Sequence, residues 1–342
     1  MALIVTVFSG TLSDYLGKRK GLALFGYALG SLSKPLFAVT SSVGLVLTAR
    51  LLDRVGKGVQ GMPRDALVAD LAPPPLWGAA FGLRQSLDTV GAFLGPVIVV
   101  GLMLLWANNF RGVFWVSVIP GLMAVALLVF GIREPVGRHT PTRINPIRSD
   151  NLTRLGSIYW WVVGIGAVFT LARFSEAFLV LRAQQGGISV SFVALVMVAM
   201  NVVYAASAYP FGKLSDTMSH ATLLTLGLIV LTAADVVLAS SDHWQVVLLG
   251  VAMWGLHMGM TQGLLAAMVA DASPANLRGT AYGVFNLVSG VTMLIASVVA
   301  GLLWDRLGAS FTFYAGAAFA GIAILSLIIF PIANSSRFSH QE

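Results

Sequence analysis

Charged residues recur at helical spacing in an otherwise apolar part of the chain, at Arg50, Asp53, Arg54, Lys57, Arg64 and Asp65. Side chains three or four residues apart lie on one face of a helix. A charge near the centre of a lipid bilayer costs at least a few kcal/mol, so such a face cannot meet lipid. If this segment crosses a membrane, its charged face borders the protein interior or a water-filled cavity.

Two interpretations of this charged face remain open. It could be a ladder of buried ion pairs, Arg50–Asp53–Lys57 and Arg64–Asp65, that stabilises the fold. Alternatively, it lines a cavity and contacts substrate or protons. Its four basic and two acidic residues sum to +2, which mildly favours an anionic or zwitterionic substrate. Three basic neighbours should keep Asp53 ionised, which argues against Asp53 as a proton carrier.

Two further charged pairs lie inside other apolar segments. Arg84 and Asp88 are four residues apart, and a local salt bridge is the favoured interpretation. Arg173 and Glu176 lie deeper, at i and i+3 of the apolar segment 158–182. Because Glu176 has only Arg173 close to it in sequence, we expect it to be the better candidate for a proton carrier.

Isolated polar residues and a glycine series also need an interpretation. His257 could titrate near neutral pH, but a lone histidine on an apolar helix is more often a hydrogen-bonded core residue. Asp235 stands alone in its segment, where a partner on a neighbouring helix or a place near the interface is more common than proton transfer. Close helix packing is the simplest explanation of Gly91, Gly95 and Gly101.

The composition predicts the environment in which these residues lie. Of 342 residues, 57% are hydrophobic and 10% are charged, whereas about 25% charged residues are usual in a soluble domain. The chain has no cysteine, which excludes a disulfide scaffold, a thiolate metal site and a cysteine nucleophile. We therefore expect an all-α protein in a lipid bilayer, with no nucleic-acid partner despite the net charge of +7.

Eleven apolar segments separated by polar breaks account for most of the chain. They span approximately 1–13, 21–40, 43–69, 80–106, 111–131, 158–182, 188–213, 221–240, 244–270, 280–304 and 310–332. Basic residues concentrate at alternate breaks, among them Lys18, Arg19, Lys20, Arg278 and the long stretch 133–157. Because positive charge marks the cytoplasmic side, we expect those breaks, including Thr142, and the tail at Ser339 to be cytoplasmic.

The two halves of the chain repeat one another. Residues 66–83 match residues 267–284 without gaps at an offset of 201, with nine identities in eighteen. Gly10-Thr-Leu-Ser-Asp14 matches Gly212-Lys-Leu-Ser-Asp216 at an offset of 202. Two equivalent halves are usual in secondary transporters, and by this repeat we expect about 40–45 residues, one helix and part of the next, before position 1.

Several motifs resemble those of the major facilitator superfamily. Gly10-x-Leu12-Ser13-Asp14-x-x-Gly17-Lys18-Arg19-Lys20 resembles the signature loop between its second and third helices. Arg50 resembles the arginine of its fourth helix, and Gly91-x-x-x-Gly95-Pro96 the glycine–proline motif of its antiporters. The stretch from Arg50 to Asp88 is similar to a branch of bacterial permeases. The second copy of the loop, after Asp216, lacks the glycine and the basic cluster.

The resemblance implies an all-α membrane fold of 6+6 helices in pseudo-twofold halves, present here as helices 2 to 12. An N-terminal bundle at 1–132, a cytoplasmic linker at 133–157 and a C-terminal bundle at 158–342 are expected. It also implies a cytoplasmic latch in which Asp14 pairs with a basic group or caps a helix N-terminus. In that latch Gly17 permits a tight turn, while Lys18 and Arg19 follow the positive-inside rule.

The expected function is secondary transport of a small molecule by alternating access. The family implies a monomer in the bacterial cytoplasmic membrane, coupled to an ion, most often the proton, with no cofactor. A truncated, non-transporting remnant or a wrongly assigned start is the alternative. A membrane-embedded enzyme is disfavoured, because the chain contains no HExxH, GxSxG or paired-histidine motif.

Overall fold

The computed structural model describes residues 2–40, 42–106, 109–133, 154–189, 193–240 and 242–329. Within these ranges the chain forms twelve α-helices and no β-strand. Their bounds are α1 Ala2–Leu16, α2 Arg19–Val39, α3 Val43–Leu71, α4 Trp77–Leu105, α5 Phe110–Ala126, α6 Gly156–Leu171, α7 Ala177–Gln185, α8 Val193–Ser215, α9 His220–Ser240, α10 Trp244–Asp271, α11 Arg278–Leu307 and α12 Ala309–Ile329.

Eight helical stretches of the described residues are long and apolar enough to cross a membrane. The predicted all-α, polytopic membrane fold is therefore confirmed. Most of the predicted linker 133–157 and the tail beyond residue 329, including Thr142 and Ser339, lie outside the described residues.

One predicted element is wrong. The segment 158–182 was expected to be a single helix, but it forms α6 and α7, separated by non-helical residues 172–176. We call these five residues the break. Neither glycine nor proline occurs in it, so local sequence gives no reason for a helix to end there. Arg173 consequently lies in irregular backbone and Glu176 in a turn, rather than one turn apart on a helix.

Turns, caps and hydrogen bonds explain where several helices begin and end. Gly17 adopts a φ of 61° between α1 and α2, a left-handed conformation that glycine accepts without steric cost. The Asn109 side chain accepts a hydrogen bond of 3.0 Å from the backbone N–H of Gly112 and caps α5. Lys20 donates to the carbonyl oxygens of Val129 and Ile132 at 2.9 and 2.7 Å, which places a cation at the end of the π-helical turn Leu127–Gly131 that continues α5.

Glycines govern the close crossing of α2 and α3. A Cβ atom added to Gly26 would lie 2.8 Å from the carbonyl oxygen of Gly56, and the reverse distance is also 2.8 Å. Close packing was predicted instead for Gly91, Gly95 and Gly101, and that prediction is wrong. A Cβ atom at any of these three meets no atom of the described residues within 4 Å.

The chain divides into two compact units that do not follow the order of the sequence. The first unit takes its described residues from 1–74, 94–160 and 269–287. The second takes them from 75–93, 161–268 and 288–342. The first turns of α4 thus belong to the unit built mainly from the second half, and the first turns of α11 belong to the unit built mainly from the first half.

Candidate functional site

In the first unit, Asp14 at the end of α1 caps the N-terminus of α11. Its carboxylate accepts hydrogen bonds from the backbone N–H groups of Gly279 at 3.0 Å and Thr280 at 2.6 Å, and from the Thr280 hydroxyl at 2.7 Å. The Asp14 side chain has no exposed surface. A carboxylate at a helix N-terminus satisfies donors that the helix itself leaves unpaired and complements the helix dipole. We call this arrangement the first cap.

A buried network of charges surrounds the first cap. The Arg19 guanidinium lies 3.3 Å from Asp14 and also pairs with Asp70 at the end of α3. It donates a further hydrogen bond of 3.1 Å to the carbonyl oxygen of Ala66. Asp70 is shared with Arg278, whose Nη1 lies 3.0 Å from Asp70 Oδ1. Asp14 therefore both pairs with a basic group and caps a helix, the two roles offered for it as alternatives.

The second unit repeats the cap with the partners exchanged. Asp216, at the end of the second copy of the loop motif, accepts hydrogen bonds from the backbone N–H groups of Gly78 at 2.7 Å and Ala79 at 2.9 Å. These residues open α4. We call this arrangement the second cap. The two repeats found in the sequence are thus binding partners: the first GxLSD copy contacts the second copy of the longer repeat, and the second contacts the first.

Both caps require glycine where the helices meet. A Cβ atom added to Gly279 would lie 2.5 Å from the carbonyl oxygen of Gly10 and 2.9 Å from Asp14 Oδ1. A Cβ atom added to Gly78 would collide with Ser215, Gly212 and Asp216. Gly10 was a predicted member of the latch, and its role is this close approach of two backbones.

The charged face of α3 is paired differently from the predicted ladder. Asp53 binds Lys34 of α2 at 2.8 Å and Lys57 at 3.2 Å. Among the described residues Arg50 makes no ion pair with Asp53, so the Arg50–Asp53 contact of the ladder, one of the two interpretations of this face, is wrong, whereas its Asp53–Lys57 contact is present. The Arg64–Asp65 pair is present, with 3.3 Å between Nε and Oδ1. Lys34 was missed because the prediction followed spacing along one helix, and this partner comes from the next.

Three cations remain exposed on α3. Arg50, Arg54 and Lys57 are all exposed, and Lys57 is 60% exposed even though it pairs with Asp53. Asp53 itself is 14% exposed and already binds two ammonium groups. The stretch from Arg50 to Lys57 therefore presents uncompensated positive charge from the middle of a helix.

The break gathers polar groups in the second unit. With the Gln262 amide oxygen turned toward it, Gln262 of α10 accepts hydrogen bonds from both terminal nitrogens of Arg173. Arg173 also interacts electrostatically with Glu176 and with Tyr204 of α8. Gln262 and Tyr204 were not predicted, since a single neutral polar residue in an apolar helix carries little signal on its own.

Tyr204 links the break to α4. It interacts electrostatically with Arg84 as well as Arg173 and hydrogen-bonds Thr89. The predicted salt bridge between Arg84 and Asp88 is present, at 3.1 Å. The result is one cluster of polar side chains from three helices and the break, which we call the polar cluster: Arg84, Asp88, Thr89, Arg173, Glu176, Tyr204 and Gln262.

His257 has the core position that was favoured for it. It is fully buried, its Nδ1 lies 2.8 Å from the carbonyl oxygen of Gly227, and its ring stacks on Phe169. Asp235 is also fully buried and accepts a hydrogen bond of 2.9 Å from the indole N–H of Trp254 on α10. A partner on a neighbouring helix, one of the two expectations for Asp235, is confirmed.

Comparison with known proteins places the chain in a family. The family model described as Major Facilitator Superfamily matches residues 1–181 and 164–340. An uncharacterised transporter of this type from Methanocaldococcus jannaschii is 31% identical over 332 residues, covering 95% of this chain and 82% of the relative.

Solved structures agree on the fold. The human organic anion transporter MFSD10 superposes with a TM-score of 0.80 at 17% identity, covering 95% of this chain and 80% of that protein. The fucose:proton symporter FucP of E. coli superposes with a TM-score of 0.78 at 15% identity, covering 95% and 87%. These two structures show the fold, and the family model together with the archaeal relative shows that the chain belongs to the major facilitator superfamily of membrane transporters.

Proposed function

We propose that this protein transports a small organic anion across the membrane by alternating access, coupled to the movement of protons. The observation that carries this proposal is the uncompensated positive charge on α3. Arg50, Arg54 and Lys57 are exposed, while the Asp53 carboxylate beside them is bound by two lysines.

The position of these cations supports a role in substrate binding. α3 has 29 residues, so it is about 44 Å long at 1.5 Å per residue. Arg50 and Lys57 are seven and fourteen residues from its start at Val43, about 10 and 21 Å along the axis. Cations at such depth are too costly to face lipid. They favour a water-filled cavity that attracts anions.

The polar cluster supplies a second place for the substrate and a candidate for the proton. Transporters commonly bind their solutes where a membrane helix is interrupted, since unwound backbone and half-helix ends offer polar groups there. Arg173 in the break can receive an anion, and Glu176 beside it can exchange a proton as the anion arrives. This assigns to Glu176 the carrier role and to Arg173 the role of charge partner.

The names of similar proteins point in the same direction. MFSD10 is described as an organic anion transporter and FucP as a fucose:proton symporter. We extend the anion preference to this chain because its own α3 is cationic, and proton coupling because Glu176 lies next to Arg173.

The two caps serve as latches in the proposed cycle. Asp14 and Asp216 each hold a helix N-terminus. Both lie next to polar connections between apolar segments that the positive-inside rule assigns to the cytoplasm. Helix ends held in this way close the cytoplasmic side, so each cap must open for substrate to reach the cytoplasm. The predicted bundles at 1–132 and 158–342 are the bodies that move in this scheme.

The direct test is transport by purified protein in proteoliposomes. Radiolabelled mono- and dicarboxylates and a neutral sugar are offered with and without an imposed pH gradient. We expect anion uptake or exchange that responds to the gradient, and no transport of the sugar. Transport of the neutral sugar in preference to every anion would contradict the proposal.

Variants locate the anion site. Arg54→Gln should raise KM for the anion roughly tenfold, since one charge-assisted contact contributes about 1.5 kcal/mol. Arg306→Gln, which removes another exposed cation at the end of α11, serves as the matched control and should leave KM unchanged. Equal effects of both changes would mean that general surface charge, and not α3, attracts the anion.

A pair of acidic variants separates structure from coupling. Asp53→Asn should lower folded yield as well as transport, because it leaves two ammonium groups without their carboxylate. Glu176→Gln should give folded protein whose transport varies less between pH 5.5 and 8 than that of the wild type. Wild-type yield with abolished transport for Asp53→Asn would instead make Asp53 a site residue, and an unchanged pH profile for Glu176→Gln would remove it as the carrier.

A further inference from the structure

Asp235 is a buried carboxyl group with one oxygen unmatched. Asp235 has no solvent-exposed surface. Oδ1 accepts the hydrogen bond from Trp254, whereas Oδ2 meets no hydrogen-bond partner among the described residues. An ionised carboxylate in such a place is costly because it has lost its water and gained only one donor. A neutral, protonated carboxyl group fits the same surroundings far better.

Within the part of the chain that the structure describes, no cation pairs with this carboxyl group from the helices around it. On α10 the titratable residue nearest to Trp254 is His257, whose ring centroid lies 6.4 Å from that of Trp254 and whose Nδ1 is engaged by Gly227. On α7, Arg182 binds the carbonyl oxygen of Leu238 and the carboxylate of Asp242. α12 contains no charged residue at all. In the break, Arg173 is bound by Gln262 and interacts with Glu176.

Phe174 of the break lies near the unmatched oxygen. A Cβ atom added to Gly316 of α12 would collide with Asp235 Oδ2 and would lie 3.0 Å from the Phe174 ring. Phe174 follows Arg173 in the break, and its ring centroid lies 5.7 Å from that of Trp254 and 5.4 Å from that of Phe313. Gly316 and Phe174 also line an apolar cavity between α6, α11 and α12. Phe174 therefore lies close both to the unmatched oxygen and to this cavity.

We propose that Asp235 is a second proton-binding site, occluded by Phe174, which binds or releases a proton only when the break rearranges. The exchange is a simple one: a proton from the aqueous side forms the Oδ2–H bond, and its loss restores the carboxylate. Because Phe174 lies between Arg173 and Glu176, substrate binding at the break and proton exchange at Asp235 share one moving segment. This inference rests on the proposed proton-coupled transport and adds a second proton to it.

Infrared spectroscopy tests the protonation without any transport assay. Wild-type protein at pH 7 should show the carbonyl band of a protonated carboxyl group that is absent from Asp235→Asn and retained in Glu176→Gln. Trp254→Phe should shift that band to higher frequency, because the carbonyl loses its hydrogen bond. If Asp235→Asn does not fold, the Trp254→Phe shift in protein carrying ¹³C-labelled aspartate gives the same information. Absence of any band sensitive to residue 235 or 254 overturns the proposal.

Transport stoichiometry tests the coupling. With the membrane potential clamped, the logarithm of substrate accumulation is plotted against the imposed pH difference, and the slope gives the number of protons per substrate. Asp235→Asn should transport with a slope lower by one than the wild type. If the slope of Asp235→Asn equals that of the wild type, the proposal that Asp235 is a coupled second proton site is overturned. If the wild-type protein shows no gradient-driven transport at all, the proposed function fails, and the infrared band still decides whether Asp235 holds a proton.

Discussion

The two caps share their backbone geometry and differ in their charges. Asp14 and Asp216 each accept two backbone N–H groups from the first turn of a distant helix. The first cap adds Arg19, Asp70 and Arg278, all buried or nearly so. Asp216 is only half-buried and makes no ion pair with any described residue. The contacts that define a cap are therefore present twice, whereas the ionic network is present once.

This difference indicates which part of the motif is general. A carboxylate at a helix N-terminus needs only an acidic residue and two free N–H groups, so it survives the loss of neighbouring basic residues. Arg19 stands five residues after Asp14, whereas the corresponding residue after Asp216 is Ala221. At the other helix, Arg278 corresponds to Trp77 at the repeat offset of 201. We infer that the second cap is the weaker latch and opens first.

The largest effect is expected from removing the acid of the first cap. Asp14→Ala leaves two backbone donors and a buried guanidinium short of a partner. Removing one member of a buried, hydrogen-bonded ion pair costs about 3–5 kcal/mol. We expect a fall in the thermal midpoint in detergent that exceeds that of every other change proposed for the caps.

Cysteine labelling shows whether that loss is local to the cap. The chain contains no cysteine, so a single Ser273→Cys substitution reports on the turn before α11, where Ser273 is 6% exposed. Asp14→Ala should accelerate its reaction with a maleimide. An unchanged labelling rate together with an unchanged thermal midpoint would show that the ionic network does not hold this helix end.

Replacing the closely packed glycine should destabilise both caps to a similar extent, whereas removing the capping acid should affect the first cap more. Gly279→Ala and Gly78→Ala each insert a methyl group against backbone or the capping carboxylate, and such overpacking costs about 1–3 kcal/mol. Gly91→Ala is the matched control, since its Cβ meets nothing within 4 Å. It should be neutral or slightly stabilising because alanine is the better helix former. A tolerated Gly78→Ala would show that the second cap is not closely packed.

The sequence predicts the helices well and their long-range contacts poorly. Runs of apolar residues fix where most helices begin and end, because a bilayer accepts little else. The internal repeat marks both the segments that carry the capping carboxylates and the helix starts that they cap. Nothing in the sequence around Asp14, however, indicates that its partners are 265 and 266 residues away. Resemblance to a known motif supplied the helix-capping role, and the fold supplied the partner.

The break shows the same limit more sharply. Helix breaks are predicted from glycine and proline, and residues 172–176 contain neither. Tertiary contacts keep these residues out of a helix. Arg173 binds Gln262, and the Phe174 ring packs against those of Trp254, Phe178 and Phe313. Lys34 escaped prediction for a related reason, since its partner Asp53 lies on another helix.

A smaller effect is expected when the acid of the second cap is removed. Asp216→Ala breaks two hydrogen bonds to backbone N–H groups and no ion pair among the described residues. Loss of a helix N-cap typically costs about 1 kcal/mol. The thermal midpoint should therefore fall by less than half of the change seen for Asp14→Ala. Equal losses at the two positions would contradict the view that the first cap is the stronger latch.

The smallest effect tests whether the missing arginine can be restored. Ala221→Arg places a guanidinium five residues after Asp216, at the spacing by which Arg19 reaches Asp14. Asp216 is only half-buried, so the new pair should stabilise the cap by about 0.2–1 kcal/mol, as partly exposed ion pairs do. Ala221→Gln controls for side-chain length without charge. If the arginine raises the thermal midpoint above that of the glutamine variant, and high salt removes the difference, the gain is electrostatic. If the arginine variant gains nothing, spacing along the chain alone does not reproduce the ionic network, because Arg19 also depends on Asp70, which α3 brings to it.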